Sequence, residues 1–163
     1  MYTGALSYAR YGIIFDKFSQ NGKGGEYEGS ITCASNECLQ RARFFYQGNP
    51  TLDMPTDTAA TYNGGAIMQL KDSNYNIYAT SSFDVDFTKK TINGTIANFV
   101  DSKDNNSHKV AHTLNDIKLN ANIKGNTFKG EQMEGKFYGP KAQNMAGLFN
   151  RTFNYQLRHR VRY

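Results

Sequence analysis

Residues 117 to 124 read Ile-Lys-Leu-Asn-Ala-Asn-Ile-Lys, an unbroken alternation of apolar and polar side chains. A period of two places Ile117, Leu119, Ala121 and Ile123 on one face and Lys118, Asn120, Asn122 and Lys124 on the other. That pattern fits a β-strand with one face in a core and one in water, and no helix. Gly125-Asn126 follows at once, a two-residue turn of the kind hairpins use. A second two-faced segment lies upstream. Phe83, Val85 and Phe87 share a face, and Asp84 and Asp86 share the opposite one. Thr88-Lys89-Lys90 connects it to a return strand over Thr91–Val100, so residues 77–100 are expected to form a hairpin.

The remaining segments are read with the same rule. Leu6–Asp16, Ala42–Gln47, Thr58–Leu70 and Met145–Tyr155 are rich in strand formers. Thr127 begins another strand, softened by Gly130 and Gly135 and ended by Gly139-Pro140. Gly64-Gly65 inside its strand predicts a bulge or a sharp coil there. Lys17–Gln40 reads as a long loop and Asp101–Ser107 as a polar one. The expected fold is all-β: about eight strands closed as an up-and-down antiparallel barrel, a size whose interior side chains just fill. Closure also removes exposed sheet edges. A β-sandwich is the alternative. The 163 residues suit one domain, taken as a barrel over 1–155 with a basic tail at 156–163.

The chemistry of the chain points away from catalysis. There is no GxSxG elbow, no HExxH motif and no P-loop. Asp84 and Asp86 project together, but alternation in a half-exposed strand produces the same pair. His108 and His112 are four apart; they read either as members of a solvated loop or as two nitrogen ligands for a metal or haem. Cys33 and Cys38 lie in a polar segment, without the further ligands a zinc site needs. They read as a small disulfide ring in an exported protein, or as two free thiols. Asn93-Gly94-Thr95 and Asn150-Arg151-Thr152 fit glycosylation sequons, motifs short enough to arise by chance. Arg158-His159-Arg160-Val161-Arg162-Tyr163 is basic, as is the whole chain: 19 Lys and Arg against 14 Asp and Glu give +5. That charge permits acidic partners without demanding them. The basic segment is short and no RNA-binding motif accompanies it, so no nucleic-acid partner is expected. No apolar run approaches the roughly 20 residues of a membrane-spanning helix. Neither a signal peptide nor a lipidation pattern is expected at Met1-Tyr2-Thr3-Gly4.

Several of these segments, in order, resemble a known family. Phe44-Phe45-Tyr46-Gln47-Gly48-Asn49-Pro50-Thr51 and Ala60-Thr61-Tyr62-Asn63-Gly64 are similar to the opening of the β-barrel lobe of transferrin-binding protein B. Val85–Ile96 (VDFTKKTINGTI) resembles its central hairpin. Ile123–Gly130, Gly135–Ala142 and Met145–Phe149 resemble its closing strands. The resemblance covers about residues 40–150, and neisserial heparin-binding antigen carries a similar barrel. It implies an eight-stranded barrel on a Gram-negative surface lipoprotein that is not an enzyme. It implies capture of a host protein such as transferrin or haemoglobin, or of haem, for iron acquisition. Relatives that bind complement factor H or heparin supply the alternative, an immune-evasion adhesin. A membrane would be reached only through a lipid anchor. With one barrel and no lipobox cysteine near residue 1, the chain is expected to be a lobe, a fragment or a trimmed product.

Binding residues of this family do not carry over by motif, so the candidates come from topology. In an up-and-down barrel successive connections alternate between the two ends. Lys17–Gln40, Lys71–Asn76 and Asp101–Thr113 then share one end. The turns Thr88–Lys90 and Gly125–Asn126, the Gly48–Asp57 connection and both termini share the other. Loops on a rigid scaffold carry recognition. Phe18, Tyr27 and Tyr75 are the candidate aromatic anchors at the long-loop end. His108 and His112 are the candidate imidazole ligands should haem bind there, and haem is the single cofactor this reading leaves open.

Overall fold

A computed structural model describes residues 2–15, 42–69, 76–101 and 114–150. Among these residues there are ten strands and no helix: β1 (Tyr2–Ala5), β2 (Ala9–Phe15), β3 (Ala42–Gly48), β4 (Ala59–Gln69), β5 (Asn76–Asp86), β6 (Thr91–Asp101), β7 (Ile117–Lys124), β8 (Thr127–Lys129), β9 (Met133–Tyr138) and β10 (Asn144–Phe149). They pair antiparallel as a seven-stranded sheet, β10-β9-β8-β7-β6-β5-β4, and a three-stranded sheet, β1-β2-β3.

The larger sheet curls into a nearly closed barrel. Tyr62 on β4 and Phe137 on β9 are five strands apart in sheet order, which in a flat sheet is about 24 Å. Their ring centroids are 6.0 Å apart. Phe137 also meets Phe87 and Phe128, each at 5.5 Å and tilted or edge-on, the geometry aromatic quadrupoles favour. Around this centre one continuous core includes Ile77, Val85, Ile92, Ile96, Leu119 and Ile123. Each such large side chain contributes roughly 1.5–3 kcal/mol on burial.

The alternation in the sequence is reproduced where it was cleanest. Along β7, Ile117, Leu119, Ala121 and Ile123 are buried and Lys118, Asn120, Asn122 and Lys124 exposed. Val85 and Phe87 are buried with Phe83 packed against the same core, while Asp84 faces out. The β5–β6 and β7–β8 hairpins turn at 87–90 and 125–126, and Gly125 takes the positive φ (59°) that its turn requires.

The bulge is not where the paired glycines suggested. β4 and β5 stay in register from Ala59↔Asp86 to Gln69↔Asn76, straight across Gly64-Gly65. The register instead slips one strand away, between Tyr78↔Val100 and Thr80↔Ala97. Asn98 is the extra residue of β6 and sits at φ 55°, a left-handed conformation that Asn tolerates better than most residues. Its amide donates to Thr80 Oγ1 (2.8 Å), and that hydroxyl donates to the Ala97 carbonyl (3.2 Å). The extra residue switches the inward face of β6 from Ile92 and Ile96 to Phe99.

Two further departures change the topology. The segment after Thr127, expected as one strand, folds back on itself, with Thr127↔Lys136 and Lys129↔Glu134 in register. Gly130 stands at the reversal, where a side chain would collide with the Asn120 backbone. β1 likewise precedes the expected first strand and reverses onto it, Tyr2 opposite Ile13. Each hairpin adds one reversal. The strand start at Tyr2 and the strand end at Phe149 therefore face away from the end with the short turns, which corrects the expectation for the N-terminus; the C-terminal residues 151–163 lie outside the described residues.

The small sheet packs on the outside of the barrel. Ala9, Tyr138 and Ala146 form a second core with Leu6 and Tyr46 against it. Tyr8 N–H donates to Asn144 Oδ1 (2.8 Å), and Asn49 N–H to the Tyr8 carbonyl (3.1 Å). No helix among the described residues is long and apolar enough to cross a membrane.

Candidate functional site at the ends of the barrel

One end of the barrel is shut by two connections, 49–58 and 139–143. Pro50 bridges to Tyr138. Thr51 N–H donates to the Phe137 carbonyl (3.0 Å), Gly139 N–H to the Asn49 carbonyl (2.9 Å), and Asn126 Nδ2 to the Thr51 carbonyl (2.9 Å). The Tyr62 hydroxyl reaches across from β4 and donates to the Ala142 carbonyl. Ala142 is buried in the core and held at φ 56°, a strained conformation for a residue with a Cβ. Lys141 pairs with Asp53 on the outer side of the same closure. The Thr51 hydroxyl is buried and finds no hydrogen-bond partner among the described residues.

Burial marks the tyrosines here. It pushes the Tyr62 hydroxyl up to about 12. Tyr138 also rises to about 12, first through burial and then through Tyr46 beside it. Tyr46 is raised by burial and by the neighbouring Glu134 carboxylate. All three stay protonated at neutral pH, as donors and packing surfaces rather than acids or bases. Nothing here resembles a catalytic constellation, and among the described residues no cluster of three or more His, Cys, Asp or Glu could hold a metal ion.

At the opposite end the strand ends at Gln69 and Asn76 are paired, and Asp101 lies opposite Ile77. Phe15 and Ala42, the bounds of residues 16–41, are paired likewise. The candidate residues Phe18, Tyr27, Cys33, Cys38, Tyr75, His108 and His112 all lie outside the described residues, as does the basic segment 158–163. Of the residues singled out in the sequence, Asp84, Asp86, the sequon Asn93-Gly94-Thr95 and Asn150 are described, with Asp84, Asn93 and Asn150 exposed. Sequence reasoning missed the latch made by Tyr62, Ala142, Asp53 and Lys141. Pro50, Pro55 and Gly139-Pro140 were legible as chain breaks, but nothing local says that the two breaks meet.

Comparison with known proteins agrees with this architecture. A family model described as the C-lobe and N-lobe β-barrels of Tf-binding protein B matches residues 54–160. An uncharacterized protein of Haemophilus influenzae is 33% identical over 127 residues, covering 68% of this chain and 39% of that protein. Transferrin-binding protein B of Neisseria meningitidis serogroup B is 33% identical over 90 residues, 43% of this chain and 15% of that protein. The chain thus spans well under half the length of either relative. A family match running from the connection before β4 to beyond β10, on a chain that curls those strands into an antiparallel barrel, makes this protein a member of the transferrin-binding protein B β-barrel family.

Proposed function

We propose that the chain is a binding module of a Gram-negative cell surface that captures a host iron- or haem-carrying protein, such as transferrin or haemoglobin, for iron acquisition. The observation that carries this reading is the family match over residues 54–160, joined by the likeness to a protein named for binding transferrin. The described geometry supports a binder over an enzyme. A closed, hydrogen-bonded barrel end leaves the long connections of the other end as the recognition surface. The strand ends that bound those connections are paired, Phe15 with Ala42 and Gln69 with Asn76. Cys33 and Cys38 are proposed to form a disulfide that stiffens the first of these connections, and the outer membrane, reached through a lipid anchor, is the proposed location.

The direct test immobilises the chain and passes host serum, purified transferrin and purified haemoglobin over it. Retention of an iron- or haem-carrying protein is expected. Selective retention of complement factor H, or of heparin, would replace this reading with that of an immune-evasion adhesin. For haem itself, a haemin titration is expected to lose any Soret shift when His108 and His112 are both replaced by Ala. A wild-type Soret band in that variant excludes the histidines as ligands.

A further inference from the structure

The outer surface of the barrel carries a feature that the fold does not require. Thr61, Asp84, Asn93 and Asn120 lie opposite one another in a single row across β4, β5, β6 and β7. All four are exposed. The next row toward the closed end continues with Asp86, Thr91 and Asn122. Five of these seven residues are Asp or Asn, which strands disfavour. A solvated strand face is served as well by Lys, Glu or more Thr, so the choice calls for another reason.

These side chains are short, and neighbouring strands hold them about 4.8 Å apart. That spacing is close to the advance of one pyranose unit along a chain. Thr61 donates its hydroxyl proton to Asp84 (2.7 Å), and Lys89 N–H donates to Asp86 (2.8 Å), so both carboxylates are oriented in advance. Asn93, Asn120 and Asn122 make no side-chain hydrogen bond among the described residues. Each offers an amide donor and acceptor together, the complement of a hydroxyl that is also both. A shallow, open depression of about 460 Å³ lies over the β4–β6 part of these rows, lined by Thr61, Asp84, Asp86, Lys89, Thr91 and Asn93, and Asn120 and Asn122 continue the rows beyond its edge. The Lys89 ammonium is directed at Asp86, 4.0 Å away, so the carboxylates disfavour an anionic ligand.

We propose that the outer face of β4–β7 binds a neutral oligosaccharide, whose paired hydroxyls are read by the Asp84 carboxylate and the Asn93 and Asn120 amides. The reading is independent of host-protein capture at the long-loop end. No aromatic ring lies in the two rows to stack on a sugar, so the affinity belongs in the range of about 1 mM.

The test is an NMR titration of the isotope-labelled full chain with maltohexaose and with chitohexaose. A sulfated heparin hexasaccharide and a hexa-arginine peptide are run beside them. Saturable shifts of the amides at 61, 84, 93 and 120 with at least one neutral sugar are expected. The Asn93→Ala/Asn120→Ala double variant is expected to weaken binding at least about tenfold, a loss of about 1.4 kcal/mol, with an unchanged melting temperature. Thr91→Lys, which puts a long side chain across the depression, is the second variant and should block it as well. The proposal is overturned if neither sugar moves these amides at about ten times that concentration. It is also overturned if only the sulfated sugar or the basic peptide moves them, or if both variants bind like wild type.

Discussion

Asn122 and Ile123 are neighbours with opposite environments, one in water and one in the core. Ile123→Asp buries a carboxylate without a partner and is expected to cost about 3 kcal/mol or more. Asn122→Asp should stay within about 0.5 kcal/mol. Urea unfolding of the two variants measures this, and equal losses would refute the register. Thr51 makes the opposite point. Its buried hydroxyl has no partner among the described residues, so Thr51→Val removes a desolvated polar atom at nearly constant shape and is expected to be neutral or stabilising. A fall in melting temperature would show that the hydroxyl has a partner, such as a bound water. At this scale the inward residues of β7 were legible because a period of two has a single reading. Thr51 was not, because a threonine after Asn49-Pro50 reads as an exposed turn until residues 126 and 137 are seen around it.

At the scale of elements, the bulge in β6 decides which residues face the core at its far end. Asn98→Gly keeps the left-handed conformation open and is expected to cost little. Asn98→Val both strains that conformation and deletes the amide bond to Thr80, for a loss of about 1–2 kcal/mol. Denaturation midpoints check this, and a Val variant as stable as the Gly variant would mean that Asn98 does not hold the bulge. Gly64-Gly65 drew the bulge to the wrong strand because glycine permits an irregularity without requiring one. The position of Gly65 has another use: a Cβ there would crowd the Tyr11 hydroxyl of the small sheet, at 3.0 Å. The strands 42–48, 59–69, 76–86 and 91–101 were legible nearly to their ends. β1 and the β8–β9 reversal were not, since three or four residues are too few to show a period.

For the molecule as a whole, the latch at the closed end ties β4 to the β9–β10 connection through one hydroxyl. Tyr62 titrates at about 12 folded against an ordinary 10.0. Its folded pKa is raised, so its contribution is complete below about pH 10 and is lost as pH rises toward 12. Melting temperatures are expected to fall across that window, and less steeply in Tyr62→Phe than in wild type. Equal slopes would remove Tyr62 from the alkaline transition, leaving Tyr138 and Tyr46, whose hydroxyls burial also raises, to account for it. The barrel class was legible from strand spacing and turn residues, but the proposed recognition surface was legible only as loop length, which carries no chemistry of a partner. The bond from Tyr8 to Asn144 joins residues 136 positions apart, and it bears on how the chain reaches this state. The small sheet docks on β10, the last described strand, so residues up to about 144 must exist before β1–β3 find their seat. Contacts of such separation make folding slow, in the range of about milliseconds to seconds. A chain emerging N-terminus first holds β1–β3 without their partner until residue 144 arrives, and through that interval their unpaired edges are open to strand pairing with other chains.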